Sequence, residues 1–212
     1  MSALRLIARD LRLAWTGGGL WLPILFFLAV AILYPFAVGP DAKLLRATGG
    51  AMLWIAALLA ALLPIERLIR PDWESGFLDQ LAVRGWADEA VAALKIAAHW
   101  LSFGPPLLLA TLVGAALFDL DGDMAGTLLG GLAIATPALA ALSVTIAALT
   151  ARAGGGAAGL MLLPLAIPVL IFGAGSLGPN SVGAMPLLAA VSLGLTVLAP
   201  FAAGAAMRAL RD

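Results

Sequence analysis

Long uncharged apolar runs, separated by short polar breaks, make up most of this chain. Four of them, Leu20 to Val38, Ala47 to Ile65, Ile96 to Phe118 and Met124 to Thr150, match the roughly 20 residues that carry an α-helix across about 30 Å of hydrocarbon. A last run, Ala153 to Met207, holds no charged residue and as one helix would be about 80 Å long, so it must fold back. Its turn chemistry lies at Ser-Leu-Gly-Pro-Asn-Ser-Val-Gly, Ser176 to Gly183. That turn divides the run into a fifth crossing near Gly156 to Gly175 and a sixth near Ala184 to Met207. The pattern predicts an all-α polytopic membrane protein, with six transmembrane helices in one domain over residues 1–212.

Two segments depart from this rhythm. In residues 1–18, Leu4, Ile7, Ala8, Leu11 and Trp15 share one helical face while Arg5, Arg9 and Arg12 share another, as in an amphipathic helix lying in the membrane interface. The apolar run behind them is too long for a secretory signal and no small-residue cleavage site follows it, so the chain is expected to be retained intact. In residues 66–95, ten of the 24 Asp, Glu, Lys and Arg side chains gather between the second and third crossings. Within that loop Asp72, Trp73, Glu74, Ser75, Gly76, Phe77, Leu78, Asp79, Gln80 and Leu81 are predicted to form one short helix. Pro71 and Asp72 start it, and Trp73, Phe77 and Leu81 share a face. A short amphipathic helix in a loop too small to fold as a domain has the character of a coupling helix, through which a separate ATP-hydrolysing subunit pushes on the membrane domain.

Composition supports the membrane reading: 63% of residues are hydrophobic, mean hydropathy is +1.07 and only 11% are charged, against about 25% in soluble domains. The absence of cysteine excludes thiolate-based zinc and iron sites, and zero net charge leaves no basic excess for nucleic acid. Six crossings put both termini on one side. If that side is cytoplasmic, Arg5, Arg9, Arg12, Arg67, Arg70, Arg84, Lys95, Arg152, Arg208 and Arg211 lie inside, and only Lys43 and Arg46 lie outside. Ten against two is a strong positive-inside signal. The same topology sends the acidic turn Asp119, Asp121, Asp123 and the turn around Pro179 to the far side.

The chain offers little chemistry of its own. Its two lysines, Lys43 and Lys95, follow Ala42 and Leu94, so no Gly-Lys-Ser/Thr phosphate loop exists and nucleotide hydrolysis cannot be built here in that form. A serine protease needs a base beside its serine, and the single histidine, His99, lies near one end of the third crossing while Ser176 faces the opposite compartment. His99 is a candidate haem ligand; its neighbours Lys95 and Trp100 favour an interfacial histidine that packs or hydrogen-bonds locally. The turn Asp119 to Asp123 resembles the start of a calcium loop, but Gly130 stands where the closing glutamate would be, which favours a polar exit turn. Apart from His99 the crossings hold no ionisable group, which disfavours an ion-coupled carrier. They do hold many prolines, among them Pro35, Pro105, Pro106, Pro137, Pro168 and Pro200, compatible with kinked, movable helices or simply with irregular packing. Gly126 with Gly130, and Gly155 with Gly159, are small-residue pairs that permit close helix contact.

An interfacial helix, six crossings and a charged helix after the second crossing resemble the permease subunits of type 2 ABC exporters. Three stretches look more closely like the cytochrome c maturation membrane protein B family, the haem exporter B subunits. They are Leu33-Tyr34-Pro35-Phe36-Ala37-Val38-Gly39-Pro40; Glu66-Arg67-Leu68-Ile69-Arg70 continuing through Asp72 and Ser75-Gly76-Phe77-Leu78-Asp79-Gln80-Leu81; and Lys95 to His99-Trp100 followed by Gly104-Pro105-Pro106-Leu107. Weaker similarity runs through Gly131, Thr136-Pro137 and Leu162-Leu163-Pro164-Leu165-Ala166-Ile167-Pro168 to Pro200-Phe201-Ala202.

The resemblance implies a non-catalytic permease subunit of the bacterial inner membrane that binds no cofactor directly. Its expected partners are an ABC ATPase subunit, in two copies and holding ATP and magnesium, a haem-handling membrane protein with a small accessory subunit, and a periplasmic haem chaperone. The ATPase contact is then expected at Glu66, Arg67, Arg70, Asp72, Trp73, Glu74, Ser75, Gly76, Phe77, Leu78, Gln80 and Leu81. No crossing shows paired histidines or a tryptophan-rich external motif, which favours transmission of ATP energy to the release of the haem-loaded chaperone over haem binding by this chain. The alternative is a type 2 exporter permease for a lipid, polysaccharide or drug.

Overall fold

A computed structural model of the chain describes residues 2–17, 21–39, 41–152, 162–178 and 181–211. The beginning of the fifth crossing, the Gly155 and Gly159 pair, and Pro179 with Asn180 in the last turn lie outside the described residues. Among those described, the regular elements are all helical: α1 (Ala3–Thr16), α2 (Trp21–Val38), α3 (Ala42–Leu62), α4 (Ile65–Leu68), α5 (Arg70–Glu74), α6 (Phe77–Val83), α7 (Asp88–Leu117), α8 (Gly122–Thr150), α9 (Leu162–Gly175) and α10 (Ala184–Ala209). Helices α2, α3, α7, α8 and α10 are long and apolar enough to cross a membrane, and α9 is a shorter apolar helix. The chain is an all-α polytopic membrane protein.

Two crossings start more than a full turn earlier than their uncharged runs. The Asp41 side chain accepts from the backbone N–H groups of Lys43 and Leu44 at 2.9 and 3.3 Å; this cap starts α3 ahead of Ala47 and takes Lys43 and Arg46 into its first turns. Helix α7 begins at Asp88 rather than Ile96. Asp88 and Glu89 in its first turn suit the positive end of the helix dipole, so the absence of charge marks the apolar depth of the helix but not its start. Residues 88–95 therefore belong to α7, and the loop between α3 and α7 is correspondingly shorter than predicted. At its other end α3 stops at Leu62, one residue before Leu63 and Pro64.

The core centres on α8, whose residues Ala138 to Ala148 are all buried. It packs against α10, α7, α9 and α3. Trp54 of α3, 1% exposed, fills the space left by two glycines: a methyl group at Gly173 would stand 2.5 Å from its ring and one at Gly131 would stand 2.9 Å away. The small-residue pair expected at Gly126 and Gly130 does not mediate such an approach within the chain, since Gly126 faces open space. At one end of the bundle α10 runs directly against the start of α7, where a methyl group at Gly204 would meet the Glu89 backbone nitrogen at 2.8 Å. Helix α1 also packs on α7, so both described ends of the chain meet the same end of the bundle.

Candidate coupling site

The loop predicted as one helix from Asp72 to Leu81 is two. Gly76 adopts φ +68°, a left-handed conformation open to glycine, and separates α5 from α6. The break turns the apolar face inward. Leu78 and Leu81 are 3% and 1% exposed, Phe77 lies beneath the Arg9 guanidinium at 3.9 Å from its ring centroid, and the Trp73 indole N–H donates to the Leu210 carbonyl at 3.2 Å. Of the expected docking knob, Leu81 is buried within the chain, while Trp73 and Phe77 pack against it and stay partly exposed. Of the other residues expected to meet a partner, Glu66, Arg67, Glu74, Ser75 and Gln80 are exposed. Arg70 donates to Glu74 at 2.7 Å, Ser75 donates to the Asp72 carbonyl at 3.3 Å, and Arg67 donates to the Gly17 carbonyl at 2.6 Å.

Asp72 alone among them is a buried charge, and its partners come from other elements. Arg9 of α1 donates to both of its carboxylate oxygens, through Nη1 at 3.2 Å and through Nη2. Lys95 of α7, itself 4% exposed, donates to the same carboxylate, to Asp10 at 3.1 Å and to the Leu68 carbonyl at 3.4 Å. Arg9 closes the circuit by pairing with Asp10 at 2.7 Å. Two cations and two anions alternate around a ring that joins α1, α5 and α7. Burial of Asp72 favours its neutral form; the hydrogen bond from Arg9 and the ammonium charge of Lys95 outweigh it and hold the carboxyl below the ordinary carboxylate range.

A second charged joint lies where α10 meets α7. Arg211 donates to both Asp88 oxygens at 2.6 Å, the fork geometry that makes such pairs strong. Arg208 reaches Asp88 at 3.4 Å and also pairs with Glu89. Arg152 donates to the Leu210 carbonyl at 3.0 Å, the carbonyl that also receives the Trp73 indole. The loop between α3 and α7 is therefore fastened at two places, to the chain's beginning through Asp72 and to its end through Trp73.

Sequence alone did not reveal that Arg9, Asp10 and Lys95 form one connected set and Asp88, Arg208 and Arg211 another. One signal was available: Asp10 is an acid among arginines, and Lys95 sits at the edge of an apolar run with no acid within a helical turn. His99 packs locally, its ring 5.7 Å from that of Phe103 and inclined by 19°. It is buried within the protein, and its Nε2 is enclosed without a hydrogen-bond partner among the described residues. One enclosed nitrogen, in a chain with a single histidine, does not present a ligand pair for haem. At the opposite end of the bundle, Asp121 caps α8 through the Met124 N–H at 2.8 Å and Asp119 pairs with Arg46. Both carboxylates serve the exit turn.

Taken together, the fold and its charged loop define a multi-pass α-helical membrane protein with a short peripheral helical segment wired into its third crossing. The chain belongs to the CcmB protein family, whose model matches residues 1–210. It is 46% identical to heme exporter protein B of Bradyrhizobium diazoefficiens over 222 aligned positions, covering 98% of each chain. It is 43% identical to that of Paracoccus denitrificans, covering 96% of this chain and 97% of the relative. The heme exporter protein B of Escherichia coli strain K12 is 35% identical, with 88% of each chain covered.

Proposed function

We propose that this chain is the membrane permease subunit of an ABC complex for cytochrome c maturation in the bacterial inner membrane, with both termini cytoplasmic. In this reading a separate ATPase docks on the exposed residues of the α4 to α6 segment, chiefly Glu66, Glu74, Ser75 and Gln80. The observation that carries the reading is the Asp72 ring: a surface segment that only capped a loop would have no need of a buried carboxylate held by a cation of a membrane crossing. A push on α5 reaches α7 through Asp72 and Lys95, and reaches α1 through Arg9. The names of the relatives support haem as what the complex handles. The enclosed His99 supports a role for this subunit in transmitting energy to the release of a haem-loaded periplasmic chaperone, with haem itself held by a partner membrane protein.

The test is to purify the tagged chain in mild detergent and identify what accompanies it. An ATPase together with a haem-binding membrane protein is the expected result. An ATPase alone would point to an exporter of another cargo, and neither would remove the coupling reading altogether.

A further inference from the structure

A cavity of about 380 Å³ lies beside the Asp72 ring, between α1, the α4 to α5 segment, α7 and α8. Its size falls within the roughly 300–1,000 Å³ typical of small-molecule sites. The polar groups of its walls are mostly committed. Asp10, Asp72 and Lys95 are balanced within the ring by Arg9, and the Ser102 hydroxyl donates to the His99 carbonyl at 2.8 Å. What remains is an apolar surface, with Leu13, Leu68, Ala98 and Val144 among its residues, the His99 ring, whose Nε2 has no hydrogen-bond partner among the described residues, and one cation outside the ring of charges, Arg67. Arg67 is exposed, and among the described residues no carboxylate pairs with it and its one hydrogen bond runs from Nη1 to the Gly17 carbonyl at 2.6 Å.

The height of this cavity in the membrane follows from its neighbours. Trp15 and Trp21, 56% and 52% exposed, meet edge to face with centroids 6.1 Å apart on either side of Gly17, and exposed tryptophans of membrane proteins sit at the level of the lipid headgroups. From Lys95 to Ser102 the cavity follows α7 for about 10 Å toward the hydrocarbon. We propose that it binds an acidic membrane phospholipid, with the phosphate on Arg67 and one acyl chain along the apolar wall. Free phosphate would leave that wall wet. A zwitterionic lipid would place a second cation beside Arg67, whereas basic pockets between membrane helices favour acidic headgroups.

The test uses the full chain, with the subunits that accompany it, in nanodiscs of equal parts phosphatidylglycerol and phosphatidylcholine, followed by mass spectrometry of the lipid retained after transfer to detergent. The wild type should retain phosphatidylglycerol in preference to phosphatidylcholine. Arg67→Gln should lower that retention about fivefold, the value of one cation at a membrane surface, and Arg67→Lys should restore most of it. Arg84→Gln, which removes an exposed charge at the far end of the same loop, should leave it unchanged. Equal retention of the two lipids by the wild type, displacement of phosphatidylglycerol by inorganic phosphate, or an equal loss in Arg84→Gln would overturn the site.

Discussion

Arg46 and Asp119 pair at one end of the bundle with side chains 57% and 73% exposed, whereas at the other end Asp72 and Lys95 pair with side chains 9% and 4% exposed. The chemistry is the same and the surroundings are not. In water the attraction between two charges nearly cancels against the entropy of holding two long side chains, and salt screens what remains. Asp72 and Lys95 have lost most of their hydration and depend on each other and on the partly exposed Arg9 and Asp10, so removing one partner leaves a buried charge uncompensated. Such a joint does little for stability relative to an apolar core, but it makes the positions of α1, α5 and α7 conditional on one another. That dependence suits a device that passes motion between elements.

The largest effect should follow from Lys95→Met. It leaves Asp72 and Asp10 sharing Arg9 alone, and an uncompensated buried carboxylate costs about 3–5 kcal/mol. Unfolding in detergent should show a loss on that scale, with Lys95→Arg recovering part of it. A loss as small as that of a surface pair would mean the ring is wetter than its burial implies.

Acidification separates the buried pair from the exposed one. Because the native pKa of Asp72 lies below its unfolded value, its ionisation stabilises the fold at pH above the ordinary carboxylate range. That contribution is lost as pH falls through the range toward the lowered native value. The wild type should therefore lose more stability on acidification than Asp72→Asn, measured as the difference between their unfolding midpoints across that window. Parallel curves would contradict the charged state assigned to Asp72. The smallest effect belongs to Arg46→Gln or Asp119→Asn, each expected to change stability by about 0–1 kcal/mol and less at high salt. A larger, salt-independent loss would show that the exposed pair does more than its surroundings allow.

Much of the architecture was legible because lipid imposes a single rule on apolar runs. Four crossings were located from the absence of charge alone, and the last run had to turn to give the rest. Helix ends were less legible: Asp41 and Asp88 start their helices in charged sequence, where hydropathy no longer reports on structure. The loop was recognised as special by its charges, yet its detail was misread. The face formed by Trp73, Phe77 and Leu81 assumed an unbroken helix, and Gly76 breaks it. Nothing local reveals that Asp72 pairs with Arg9 and Lys95, 63 and 23 residues away, since such pairing depends on how α1 and α7 pack. Family-like stretches placed Asp72 and Lys95 in separate motifs, and only the fold brings them together.

If the ring transmits force and is more than a fastening, the charge of Asp72 is required for function. Asp72→Asn keeps the shape of the side chain and removes its charge, so it tests transmission with the least disturbance of packing. In cells producing normal amounts of the variant, covalent haem attachment to c-type cytochromes should fall sharply while the ATPase still co-purifies with the membrane subunit. Undiminished cytochrome c assembly in that variant, with the ATPase bound as in wild type, would contradict the account.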